Sequence, residues 1–328
     1  MRLMLHLLLF STAAHWSASI ARAEIKVHPL FSDHAVLQQG GPTPVWGTGD
    51  DGEEVAVQLV ASGEIRHSAR TQVAGGRWRV DLNGLQAGGP YALIVQGPKN
   101  QIKVADVLVG EVWICSGQSN MEWPVDASAN PAQLKTNANY PQIRLFQVPR
   151  TSADSPQQLV RGTWRLCSPE SVGRFSAVGY SFGRHLHLSR RVPVGLIQAA
   201  WGGTVAEAWT NVSDLEQAAD PTIPKLVHRY RAIVKKFEEE EPALQAKYQE
   251  ALAEHKREEE RAKAEGKTPP PQPRRPVHPR NKPNHPGHLY NGMIAPLQPF
   301  AIRGVIWYQG ESNAGRAYQY RTLFPTLI

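Results

Sequence analysis

Three glycine-marked junctions in this 328-residue chain follow apolar runs, and each carries polar side chains suited to chemistry on an ester or amide carbonyl. The first is Ile114-Cys-Ser-Gly-Gln-Ser-Asn-Met-Glu-Trp123, where Ser119 follows a buried strand in a tight polar turn at which a helix can begin. Such a serine offers its hydroxyl together with its own backbone N–H, a donor for a developing oxyanion. The spacing is not the G-x-S-x-G elbow, because Met121 stands two residues after Ser119. Capping of a helix explains Ser119 equally well. The second junction is Ala199-Ala-Trp-Gly-Gly-Thr204, whose paired glycines allow a backbone N–H to approach a ligand closely. A plain turn accounts for them just as well. In the third, Trp307-Tyr-Gln-Gly-Glu-Ser-Asn313, the Gln309 carboxamide and the Glu311 carboxylate flank a glycine. That pairing suits oxyanion binding and the orientation of a general base.

The segments that must position these groups change character along the chain. Residues 24–105 hold short alternating runs, such as 54–60, 77–82 and 91–96, separated by Gly- and Asp-rich turns. This pattern predicts a small all-β sandwich. From residue 106 the strands become continuous apolar runs (107–115, 192–198, 302–308), with a further strand at 143–148 and a helical pattern over 176–191. Strands alternating with helices predict an α/β domain on a parallel sheet over 106–328, whose ligand sites lie at the strands' carboxyl ends. All three junctions occupy that position. Residues 225–285 interrupt this domain as a charged helical and proline-rich insertion, with a helix break expected at Pro242. Its end over 254–265 reads as a solvated, outward-projecting helix, followed by an extended proline-rich connector.

Composition narrows the function classes. Residues 1–23 carry a basic start, a short apolar run and Ala21-Arg22-Ala23, the pattern of a cleaved signal peptide and an exported, periplasmic or extracellular protein. Without them the charge is +5, from 34 basic and 29 acidic side chains. The surplus sits entirely in Lys267, Arg274, Arg275, Arg280 and Lys282. A basic isoelectric point therefore reports one proline-rich segment and not a nucleic-acid partner. No later run is long and apolar enough to span a bilayer, so no membrane association is expected after cleavage. Cys115 and Cys167 are the only cysteines, which excludes a disulfide framework and a multi-cysteine zinc site. The two can pair in an exported protein, while the apolar surroundings of Cys115 equally suit a buried free thiol.

Taken together, Gly110 to Trp123, Tyr290 to Leu297 and Arg303 to Asn313 resemble the sialate O-acetylesterase family of SGNH-type hydrolases. Leu30 to Gln38 and Pro44 to Gly47 resemble the start of that family's N-terminal β domain. The resemblance implies a flavodoxin-like esterase domain behind a small β-sandwich, and removal of O-acetyl groups from sugars through an acyl-enzyme. It assigns Ser119 as nucleophile and Gly202 or Gly203, with Gly203 favoured, as an oxyanion donor. Gln309 becomes a second donor and Glu311 the acid that orients the catalytic histidine. An O-acetylated carbohydrate is the partner, and neither metal nor cofactor is required.

One departure stands out. The family's Asp-x-x-His block, well beyond the third junction, has no counterpart here, and no histidine follows Glu311. His185 and His187 read as surface residues of a helix, and His278, His285 and His288 lie in or beside the connector with no orienting acid nearby in sequence. The expectation is a fragment or truncated product whose own esterase activity is negligible, with a non-catalytic carbohydrate-binding protein as the alternative.

Overall fold

A computed structural model of the chain describes residues 24–328, so the expected signal peptide lies outside the described residues. Twelve strands are assigned there. In chain order they are β1 (Lys26–Val27), β2 (Val36–Gln38), β3 (Thr43–Thr48), β4 (Glu54–Ala61), β5 (Glu64–Gln72), β6 (Arg77–Leu82), β7 (Gly88–Gln96), β8 (Gln101–Gly117), β9 (Tyr140–Gln147), β10 (Trp164–Cys167), β11 (Val194–Ala200) and β12 (Gly304–Tyr308). The α-helices are α1 (Ser119–Glu122), α2 (Pro131–Thr136), α3 (Ala177–Arg190), α4 (Val212–Glu216), α5 (Pro224–Ala264) and α6 (Ala317–Leu327).

The N-terminal strands follow the period-two pattern of the sequence. On β6, Trp78, Val80 and Leu82 are buried while Arg77, Arg79 and Asp81 face out, as the pleat requires. A small sheet, β1-β3-β6, shares one apolar cluster with the antiparallel ladder β5-β4-β7-β8: Val45, Trp78 and Val80 from the first meet Val57, Leu59 and Leu93 from the second.

β8 joins the two parts of the molecule. Its first half pairs antiparallel with β7, and its second half pairs parallel with β11 and β12. The strand thus runs unbroken through the expected boundary at 105/106. Where it crosses, the buried guanidinium of Arg144 on β9 reaches both Asp106 carboxylate oxygens, at 2.8 and 3.2 Å. Burial works against the ionised Asp106 carboxyl, but hydrogen bonds from Arg144 and His34 outweigh it and hold the group below its ordinary range.

The site-bearing sheet has the order β10-β9-β11-β8, with β12 on the far side of β8. β9, β11, β8 and β12 run parallel, as the sequence predicts, and β10 adds an antiparallel edge. Every residue of β11 is buried, which explains its unbroken apolar run. α3 begins at Ser176, whose Oγ accepts from the Gly179 N–H at 2.9 Å. Cys115 and Cys167 are both buried free thiols, and burial pushes each up to about 12.

The insertion differs from expectation at one point. α5 passes through Pro242 without a break for 41 residues. Proline removes one intrahelical donor and costs about 3 kcal/mol in a helix interior. Here Pro242 and Glu238, whose carbonyl loses its partner, are both exposed, so water can satisfy that carbonyl. The connector folds back along the helix: His278 packs on Phe237, His285 on Tyr230, and Arg280 reaches Glu238 at 2.7 Å. Among the described residues no helix is long and apolar enough to cross a membrane.

Candidate active site

Ser119 is the first residue of α1, directly beyond the end of β8. The turn between them depends on Gly117, which has φ 140°, and a Cβ there would overlap the Tyr308 carbonyl. That carbonyl accepts the Gln118 N–H at 3.0 Å. The buried Gln118 side chain then accepts the N–H groups of Gly310 and Ser312, at 3.3 and 3.2 Å. Junctions nearly two hundred residues apart in sequence are therefore stitched together directly beneath the serine. Ser119 itself is exposed, and its Oγ has no hydrogen-bond partner among the described residues.

At the second junction the two glycines separate in role. Gly202 lies against the serine: a Cβ added to it would stand 3.4 Å from Ser119 Cβ and 3.1 Å from Glu122 Oε2. Its N–H donates to that same Oε2 at 2.8 Å. Gly203 has φ 73°, and a Cβ on it would meet nothing within 4 Å. Glu122 Oε1 accepts from Arg150, at 2.6 Å, and the Arg150 guanidinium lies 5.7 Å from the Trp201 ring centroid.

The third junction is braced from behind. Gln309 Nε2 donates to Asn313 Oδ1 at 2.6 Å and to the Thr204 carbonyl at 3.2 Å, so both amide hydrogens are committed within the loop. Its Oε1 is buried without a partner. Asn313 is buried as well; it accepts from the Ala206 N–H and donates to Glu207 Oε2 at 3.0 Å. Arg316 closes this network on Glu207 Oε1 at 2.5 Å. Glu311 stays exposed, and its Oε1 accepts from Asn120, the neighbour of Ser119, at 2.6 Å.

The first and third junctions, with the expected residues Ser119, Gln309 and Glu311, thus come together, and of the two expected glycines it is Gly202, not the favoured Gly203, that lies against Ser119. Sequence reasoning left Glu122, Arg150, Glu207 and Asn313 without roles. Glu122 had a usable signal, since it stands three residues after Ser119 and so shares a helix face with it. Arg150 sits in a loop with no pattern to reveal it.

A cleft of about 1080 Å³ opens from Ser119 across the carboxyl ends of β11 and β9 to β10, lined by Glu122, Gln198, Gln147, Arg150 and Arg165 among others. None of its lining residues is a histidine. His288, which has no acid near it in sequence, acquires one in space: it is buried 3.2 Å from Asp154 and bonded to Tyr230 at 2.9 Å. It lines a different cavity, against α5. Burial and the neighbouring His288 lower His285 to about 4.

Known proteins share sequence and fold with this chain. The family described as carbohydrate esterase, sialic acid-specific acetylesterase matches residues 109–251, from β8 into α5. A sialate O-acetylesterase of Rattus norvegicus is 31% identical over 318 residues, which is 91% of this chain and 54% of that protein. The Homo sapiens sialate O-acetylesterase is 29% identical over 333 residues, 95% of this chain and 54% of its own. The crystal structure of a carbohydrate acetylesterase from Xanthomonas citri superposes with a TM-score of 0.69 at 33% identity, covering 93% of this chain and 56% of that one. The chain spans about half the length of the curated relatives it matches. With its α/β fold, its three junctions and these relatives, the chain is similar over more than nine tenths of its length to the sialate O-acetylesterase family of carbohydrate esterases.

Proposed function

We propose that the mature protein is an exported serine esterase that removes O-acetyl groups from sugars. The observation that carries this reading is the unpartnered Ser119 hydroxyl at the end of β8, inside a cleft and with Gly202 packed against it. Ser119 Oγ attacks the acetyl carbonyl, its proton passes to a base, and the sugar hydroxyl leaves protonated. Water then hydrolyses the acetyl-enzyme to acetate and free Ser119. The oxyanion is held by the Ser119 N–H and by Gly202 once Glu122 is drawn from it towards Arg150. Gln309 keeps the third junction in place through Asn313, and Glu311 orients the base. Export rests on the signal pattern in residues 1–23.

No cleft-lining residue is a histidine, so the cleft as described offers Ser119 no imidazole base. A serine hydrolase without its histidine loses on the order of 10⁶ in kcat. The same observation favours a second reading, a carbohydrate-binding protein without turnover.

The test is acetate release from O-acetylated sugars by residues 24–328 and by a chain extended to its relatives' length, each with a Ser119→Ala control. Ser119-dependent release only from the longer form is expected. Release at ordinary enzyme rates from residues 24–328 would show that a base among them serves Ser119. Binding without release in both forms would favour the second reading.

A further inference from the structure

Residues 201–205 carry Gly202 beside Ser119 and link the end of β11 to a single 3-10 turn, Ala206–Trp209. Two adjacent glycines make this a permissive stretch of backbone, and Gly203, at φ 73°, lies in the left-handed region. Such a loop keeps one conformation only if its backbone groups are held. The other two junctions hold its ends. The Trp201 N–H donates to the Gly117 carbonyl at 3.1 Å, the Thr204 carbonyl accepts from Gln309 at 3.2 Å, and the Ala206 N–H donates to Asn313 Oδ1 at 2.9 Å.

The middle of the loop is held by a residue from outside all three junctions. Asn284, near the end of the 225–285 insertion, accepts the Val205 N–H on Oδ1 at 3.0 Å and donates from Nδ2 to the Gly203 carbonyl at 2.9 Å. One planar carboxamide supplies both the acceptor and the donor, which an aspartate or an alanine cannot do. The backbone that presents Asn284 is fixed at once beyond it. The His285 ring lies on Tyr230 of α5, with centroids 4.1 Å apart. The Gly287 N–H donates to the Glu207 carbonyl at 2.9 Å, and a Cβ on Gly287 would overlap Val212. The insertion, which otherwise lies along α5, thus ends in a grip on the loop of Gly202.

We infer that Asn284 is a positioning residue: by bonding Gly203 and Val205 it sets the loop conformation that keeps the Gly202 N–H beside Ser119. Asn284 is exposed and is not among the residues lining the cleft, so it acts through the loop and not on the substrate. Water competes for exposed hydrogen bonds, and two of them add little to the stability of the fold. Their effect on the reaction is larger. A displacement of about 1 Å in a group that acts on the reacting atoms can cost on the order of 10² in rate. The inference rests on the esterase reading for the use made of Gly202, but not for the grip itself. It gives the foot of the insertion a role at the reaction centre.

Two measurements test it. In acetate release by the chain at its relatives' length, Asn284→Ala should lower kcat about 10-fold or more and leave KM nearly unchanged. Asn284→Asp keeps the acceptor for Val205 but turns a carboxylate oxygen towards the Gly203 carbonyl, and it should lose kcat as well. The second measurement needs no turnover. Amide hydrogen exchange on residues 24–328 should show Gly202 and Val205 losing protection in Asn284→Ala, while the amides of β8 and β11 keep theirs. A raised KM with kcat retained would overturn the positioning role, and so would unchanged exchange at Gly202. Loosening spread equally over β8 and β11 would also overturn it, by making Asn284 a general support of the fold. If the wild-type chain at its relatives' length releases no acetate, the esterase reading falls, and the exchange measurement alone decides whether Asn284 holds the loop.

Discussion

The backbone N–H of Gly202 is held by Glu122 Oε2 at 2.8 Å, and the same glycine rests against Ser119. The donor that the proposed reaction would use for its oxyanion is thus occupied by a carboxylate that Arg150 grips from the other side. Gly202→Ala places a methyl 3.1 Å from Glu122 Oε2 and 3.4 Å from Ser119 Cβ. Glu122 can give way, so stability should change by no more than about 1 kcal/mol. Acetyl-ester hydrolysis by the chain at its relatives' length should fall about 10²-fold or more, the usual effect of losing an oxyanion donor. Unaltered hydrolysis would remove Gly202 from the reaction.

Asn313 is the clamp of the third junction, joining Gln309, the Ala206 N–H and Glu207 in one buried network. Asn313→Ala should cost roughly 3 kcal/mol, because it strands buried partners. Asn313→Asp puts a carboxylate against Glu207 and should be more damaging than Asn313→Ala, because two buried like charges then face each other. Urea midpoints of the two variants at neutral pH check this. Wild-type stability of Asn313→Asp at neutral pH would show that the clamp is idle.

The third prediction concerns acid. His28 is buried, with Nε2 bonded to the Gln158 carbonyl at 3.0 Å and Nδ1 accepting the Leu30 N–H. Burial lowers its pKa to about 4, although the Gln158 bond works in the other direction. The ring is neutral in the folded chain at pH values where the unfolded chain is already protonated. Its contribution is therefore complete above pH 6.5 and is lost as pH falls from there towards 4, by roughly 3 kcal/mol in total. His28→Gln should flatten that part of the profile, measured as denaturant midpoint against pH. A profile that keeps its slope in the variant would assign the acid sensitivity to other groups.

Both thiols should be silent in the folded state. Cys115 and Cys167 are pushed up to about 12 by burial, and the thiolate is the reactive form. A thiol-specific disulfide reagent at pH 8 should react with neither until denaturant is added, and with both afterwards. Rapid labelling of the native chain would place one of them at the surface.

Much of the architecture is visible in residue order. The alternation of Trp78, Val80 and Leu82 and the unbroken apolar run of β11 state how many faces each strand buries, because the two-residue pleat ties side-chain type to side. Pro242 misled for a physical reason: the expected break presumes that a lost hydrogen bond ends a helix, and at an exposed position water replaces it.

By itself, the sequence determined the element types, the family resemblance and the three junctions, since these are written in local patterns of apolar, glycine and polar residues. Only the tertiary structure decided which groups meet. Gln118 binds Gly310 and Ser312 across the molecule, Gly202 and not Gly203 touches Ser119, and Arg165 shares a cleft with the serine across three strand intervals. Those relationships depend on the order and register of β8, β11, β9 and β10. That order is set by packing both faces of one buried sheet, a condition on the whole chain that no short stretch of residues contains.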